Sequence, residues 1–227
     1  LFFSMNPLAV VTTGPASAPI DDVRRITNFA TGEIGSLLAE ALLRQGFEVL
    51  LFRGRGATCL DLPSGTLLHE FTTNRDLSRA LEELSTTRGK DVNAVFHAAA
   101  LSDYLVASVR GPDGLQTLEH KIPGNLPQLH LVLEPAPKVL TRLSGWFPQA
   151  WIACWKYELE GTREDAIAAA REQISQRRTH ASVVNGSSYG PGFGVLEAEN
   201  PPVHFEQKRE AADFLASRAA VFAKHDE

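Results

Sequence analysis

Apolar residues fall along this chain in two forms, short solid blocks and longer periodic stretches. Leu8–Thr13 (LAVVTT) is an apolar, β-branched run stopped by Gly14-Pro15, the form of a buried strand. A polar stretch follows. Over residues 33–45 the side chains Ile34, Leu37, Leu38, Ala41 and Leu42 recur at helical spacing, and Gly46 stands where a C-cap belongs. Residues 47–53 (FEVLLFR) predict a strand, 67–71 another, 76–84 a helix and 94–98 (AVFHA) a further strand. Beyond them 129–133 reads as a strand, 138–143 as a short helix, 151–155 as a strand, 163–176 as a helix, 181–184 as a strand and 206–223 as a closing helix. Helices between solid apolar strands imply a mainly parallel sheet, because each crossover lays a helix over one face. The expectation is a single-domain α/β fold, Rossmann-like, with helices on both faces, over residues 5–227. Residues 1–4, ahead of Met5, are expected to be an expression remnant or a native extension.

Composition narrows the partners. The 227 residues carry a formal net charge of −5, with a pI near 5.8, so neither nucleic acid nor an acidic membrane is attracted in general and an anion must be captured locally. Cys59 and Cys154 stand far apart in no metal-ligand spacing, which argues against a disulfide scaffold or a structural metal. No apolar run reaches the roughly 18 residues of a membrane span. A cytoplasmic location is expected.

Ligands of open parallel sheets bind beyond the carboxyl ends of the strands. Residues 14–32 hold Gly14, Arg24, Asn28 and Thr31-Gly32 just before the first helix, where free N–H groups and the helix dipole favour an anion and Gly32 admits a phosphate close to the backbone. Helix capping accounts for Thr31-Gly32 equally well, since neither GxGxxG nor GxxxxGK[ST] is present. After the strand 94–98, Ala99 and Ala100 permit a flat ligand against the main chain, and Asp103 offers a carboxylate. Lys121 lies in the Gly- and Pro-containing stretch 111–128, long enough to predict a mobile functional loop. Such a lysine can offset charge developing during a reaction.

Taken in order, these segments resemble the phosphopantothenoylcysteine synthetase family. VVTTGPASAPIDDVRRITNFATGEIG (10–35) is similar to the family's opening strand, turn and helix start. AALSD (99–103), KIPG (121–124), PKVL (137–140), WKYE (155–158) and SVVN (182–185) resemble its later motifs. The chain departs from the family pattern at Pro15, Ala16, Pro123-Gly124, Trp155 and Gly186. The resemblance implies a ligase that joins 4'-phosphopantothenate to cysteine through an acyl-nucleotide intermediate, with CTP or ATP as co-substrate and Mg2+ accompanying the triphosphate. Asn28 would hydrogen-bond the carboxylate and the intermediate, Arg24 the phosphorylated substrate, and Thr31-Gly32 the phosphates. Lys121 would close over the intermediate. Gly14, Ala99, Ala100, Asp103, Trp155, Lys156 and Asn185 would line the nucleotide and substrate pocket, and no protein metal site is implied. Family members are homodimers whose partner contributes to the site, and the missing flavin-binding half resembles the stand-alone form. Two other readings stand beside it, a homologue that binds nucleotide or flavin with altered catalysis, and an NAD-dependent dehydrogenase, against which the missing glycine fingerprint counts.

Overall fold

A computed structural model describes residues 6–112, 114–116, 121–198 and 200–225 of the chain, so the expectation for residues 1–4 falls outside it. In chain order the first half comprises β1 (Leu8–Thr13), β2 (Ser17–Pro19), β3 (Arg25–Thr27), α1 (Glu33–Arg44), β4 (Glu48–Gly54), β5 (Thr66–Phe71), α2 (Asn74–Arg88), β6 (Val92–His97), β7 (Tyr104–Gly111) and β8 (Gly114–Gln116). The second half comprises β9 (His130–Pro135), a 3-10 turn (Val139–Thr141), α3 (Leu143–Trp146), β10 (Trp151–Tyr157), α4 (Arg163–Arg177), β11 (Ala181–Gly186), β12 (Gly190–Glu197), β13 (Val203–Phe205) and α5 (Lys208–His225).

The main sheet has the order β13-β12-β11-β10-β6-β1-β4-β5. From β5 to β11 every neighbouring pair is parallel, whereas β12 and β13 add antiparallel. Counted by their place in the chain, the six parallel strands run 3-2-1-4-5-6, the doubly wound order, whose switch point lies between β1 and β6. Strand residues alternate between two cores, as a period of two requires. Ala9, Val11, Phe96 and Ala153 pack beneath Leu38 and Leu42 of α1 and Leu215 and Ala219 of α5. On the other face Val10, Phe52, Val95 and Ile152 meet Leu77 and Leu81 of α2 and Leu143 of α3, and Ala166 and Ala170 of α4 cover Val184 and Leu196. Both faces are thus covered by helices. Helices α2 and α4 open with reciprocal capping boxes, Thr73 with Asp76 and Thr162 with Asp165, which satisfy N–H groups the first turn leaves free.

Three expectations are corrected. The strand expected at 129–133 is β9, and it joins no parallel sheet. With β7 and β8 it forms a separate antiparallel sheet, β8-β7-β9, in which β7 and β8 pair as a hairpin and β9 pairs antiparallel along the other edge of β7. The stretch 111–128 is therefore no single loop, since residues 114–116 are β8, while 117–120 lie outside the described residues. The polar stretch 14–32 also holds structure, a hairpin of β2 and β3 closed by the Asp21 carboxylate, whose Oδ1 accepts from Val23 N at 3.0 Å and Arg24 N at 2.7 Å.

Candidate functional site

At the switch point β1 and β6 extend past their last paired residues. Ala100 N donates to Gly14 O at 2.9 Å, and Ala16 N donates to Ala100 O at 3.0 Å. Two main chains are thereby held side by side with only small side chains on them. Gly14 and Gly32 both have positive φ, 75° and 84°, and a Cβ on either would stand 2.9 Å from Ala57 Cβ. These positions require glycine both for conformation and for space. Gly32 serves as the N-cap of α1 without a side-chain cap, while Thr31 Oγ1 accepts from Glu33 N at 3.3 Å. Below it α1 presses on β1, since a Cβ on Gly35 would fall 2.2 Å from Thr13 Cβ.

These backbones border a cleft of about 910 Å³ lined by Gly14, Asn28, Thr31, Gly32, Ala99, Ala100, Asp103, Trp155 and Asn185, among others. Nine of the twelve residues expected at a site are thus brought together: the nine just named do line the cleft, and Arg24, Lys121 and Lys156 do not. Lys156 follows from strand period. On β10 Trp155 and Tyr157 face the cleft, so Lys156 points the other way and pairs with Glu158 at 2.8 Å. Arg24 is used locally: its guanidinium donates to Ile122 O and lies 3.4 Å from the Asp21 carboxylate, which accepts from Ile122 N at 3.1 Å. Segment 121–122 is thus tied to the β2–β3 turn, and exposed Lys121 stands there rather than over this chain's own cleft. Burial raises the Asp21 carboxyl, but the N–H groups of Val23, Ile122 and Arg24 and the Arg24 charge outweigh it, leaving its pKa below the usual range.

Asn28 is also more constrained than a free ligand-binding amide. Its Nδ2 donates to Ala100 O and Leu101 O, each at 3.1 Å, which uses both amide hydrogens on protein atoms. The expected donation to a substrate carboxylate is therefore not available in this conformation, and Oδ1 is the remaining hydrogen-bonding atom. Asp103 is held by Lys138, and the loop before it by Asn74, whose amide exchanges bonds of 2.8 and 3.1 Å with Ser102. Beneath the loop, Thr12 Oγ1 lies 2.8 Å from His97 Nδ1 and accepts from Ala99 N at 3.4 Å. Burial pushes His97 down to about 4, so the ring is neutral near pH 7.

Sequence reasoning missed several of these groups. Lys138 belongs to the PKVL segment and to the short helix expected at 138–143, His97 to the strand expected at 94–98, and Asn74 stands two residues ahead of the helix expected at 76–84; nothing local marks a residue such as Asn74, which acts by bonding a loop 28 positions away. Phe193 and Lys208, which also line the cleft, come from elements past the last strand expected and from the final helix. Gly186, where the family pattern departs, has its own reason here: a Cβ would fall 2.1 Å from Glu158 O. Pro15 likewise fits because Gly54 faces it, where a Cβ would meet Pro15 O at 2.2 Å.

A doubly wound, mostly parallel sheet covered by helices on both faces, with a small-residue cleft at its switch point, defines a protein of the Rossmann-like α/β class. Within that class, residues 6–223 match the family described as DNA/pantothenate metabolism flavoprotein C-terminal domain, and the chain belongs to that family. It is 31% identical to the coenzyme A biosynthesis bifunctional protein CoaBC of Thermococcus kodakarensis over 78% of this chain, and covers 40% of that protein's length. Its fold resembles the DNA/pantothenate metabolism flavoprotein from Streptococcus pneumoniae, with a TM-score of 0.81 at 23% identity over 95% of this chain and 99% of that one. It also resembles a Cab2 mutant in complex with phosphopantothenate-cysteine, with a TM-score of 0.72 at 18% identity over 97% and 89% of the two chains. Among the described residues no helix is long and apolar enough to cross a membrane, and no group of three or more His, Cys, Asp or Glu could hold a metal ion.

Proposed function

We propose that this chain is a ligase joining 4'-phosphopantothenate to cysteine in coenzyme A biosynthesis, acting as a cytoplasmic homodimer. The observation that carries the reading is the cleft itself, where the Asn28 amide and the Ala99-Ala100 backbone converge on the N-terminus of α1 in a chain of this family. In the first step the pantothenate carboxylate attacks the nucleotide α-phosphate, and the bond to pyrophosphate breaks. In the second the cysteine amine attacks the acyl carbon, loses a proton and expels the nucleoside monophosphate.

Gly14, Thr31 and Gly32 would receive the phosphates, because close backbone and a helix N-terminus favour anions. Trp155, Asn185, Ala99 and Ala100 would hold the nucleoside and acyl parts, with Asp103 fixed by Lys138. Asn28 would tie the alanine loop in place and accept a hydrogen bond at Oδ1, for which the attacking amine is a fitting donor. The carboxylates lining the cleft, Glu33 and Asp103, are each paired with a lysine, so Mg2+ would arrive on the triphosphate rather than in a protein cage. Arg24, bonded to the Ile122 main chain, and the adjoining Lys121 do not line their own cleft and would act across the dimer, and Lys156 would act outside the pocket. CTP is the preferred nucleotide in this reading, with ATP the alternative.

The test is pyrophosphate release from protein supplied with 4'-phosphopantothenate, cysteine, Mg2+ and either CTP or ATP. Release that requires 4'-phosphopantothenate, and that continues over many turnovers only when cysteine is also present, is expected, and none with either nucleotide overturns the reading. Asn28→Ala should lose coupling to cysteine by about tenfold or more while remaining folded, since it removes two exposed hydrogen bonds of about 1 kcal/mol each. Wild-type turnover in that variant would remove Asn28 from the mechanism.

A further inference from the structure

Three charged side chains line the described part of the cleft, Glu33, Asp103 and Lys208, and Lys208 is the only cation among them. Asp103 is engaged by Lys138 at one end. At the other, Lys208 of the first turn of α5 bonds the Glu33 carboxylate in the first turn of α1. This pair is also the wall shared by the cleft and an adjoining groove of about 900 Å³. It therefore stands where the cleft opens outward.

Glu33 is the first residue of α1, next to Gly32, so it brings a negative charge to the positive end of the helix dipole, the end that an anionic ligand would also seek. An incoming phosphate meets that carboxylate first, and repulsion would exclude it unless a cation stood between the two. Lys208 is so placed. Its ammonium has three donors, of which one is spent on Glu33, and its side chain is 41% exposed, so it can turn to a second oxygen without breaking into the core.

We propose that Lys208 is the polyphosphate-binding cation of this cleft, held at its post by Glu33 and gripping the outer phosphates of a nucleoside triphosphate. This rests on the proposed nucleotide-dependent function and adds the residue that selects a triphosphate over shorter forms. In the ligation sequence those outer phosphates depart as pyrophosphate, so the same ammonium offsets the charge that develops on the leaving group.

Calorimetric titration of the whole chain with CTP, CMP and cytidine, and with the ATP series, tests it. Lys208→Met should weaken triphosphate binding by about tenfold or more, the scale of one hydrogen bond to a charged group, while nucleoside binding is unchanged. Lys208→Arg should bind nearly as wild type. Equal triphosphate affinity in wild type and Lys208→Met, an equal loss for nucleoside and triphosphate, or no triphosphate binding by wild type would overturn it. Failure of the ligase reading is separable: triphosphate binding that depends on Lys208 without pyrophosphate release upholds the phosphate site alone. Pyrophosphate release with unchanged binding in Lys208→Met upholds the ligase alone.

Discussion

His97 shows how a single side chain can tie stability to the site. It ends β6 directly before the alanine loop, is buried, and meets Thr12 Oγ1, which in turn receives Ala99 N. Burial lowers its pKa from 6.5 to about 4, so the folded state binds fewer protons than the unfolded chain between those values. Stability contributed by the neutral ring is then complete above about pH 6.5 and declines as pH falls toward 4, by about 3 kcal/mol in all. Denaturant unfolding at stepped pH should show this slope in the wild type and a flatter one in His97→Gln; parallel slopes would contradict it. The residue itself was visible in the sequence as part of AVFHA, yet its burial was not, because a polar residue at a strand end is inward or outward only by register. The same holds for Lys156, whose chemistry suited the site but whose place on β10 turns it away. Asn28 was legible as a candidate and does line the cleft, while its two backbone partners came from a loop 72 and 73 positions on.

At the scale of elements, α1 was readable nearly to its ends, because its apolar period, Gly46 and length all agree. The short strands β2, β3 and β8, three residues each, carry too little pattern to read, and β12 is broken by Gly190, Gly192 and Gly194. Strand β9 was found, but its six residues are all exposed and its partner is a neighbouring hairpin strand, facts that apolar content alone does not reveal. The element with the plainest consequence is the β2–β3 turn, where Asp21 accepts from three backbone N–H groups, one of them Ile122. Its lowered pKa means that the tether is present above the ordinary carboxylate range and is released as pH falls through the folded value. Asp21→Asn should therefore loosen segment 121–122 at neutral pH. Faster tryptic cleavage at Lys121 with unchanged global unfolding is the expected outcome, and equal cleavage rates would show that the carboxylate does not hold the segment.

The whole molecule joins two sheets of different kinds. The parallel one, with its 3-2-1-4-5-6 order, was implied by alternating blocks and helices and builds the cleft; the antiparallel β8-β7-β9 sheet was not, and it leaves an apolar edge outside. Leu131, Val132 and Leu133 are 37, 38 and 43% exposed on β9, and Tyr104 on β7 is 53% exposed. An edge strand of this composition offers unpaired backbone groups and apolar side chains together, a combination that soluble chains ordinarily cover. In the proposed homodimer a second copy covers it, since a two-fold axis lets one patch meet itself. That arrangement would also give Arg24 and Lys121 a task, because their own cleft does not use them. Leu133→Lys should then yield a monomer in sedimentation velocity with native circular dichroism, since the residue lies outside both cores of the parallel sheet. Coupling activity should fall with dimer content rather than with folding, and raising the protein concentration should restore part of it. A variant that remains dimeric, or a wild type that sediments as a monomer at every concentration, would place the partner elsewhere or remove it.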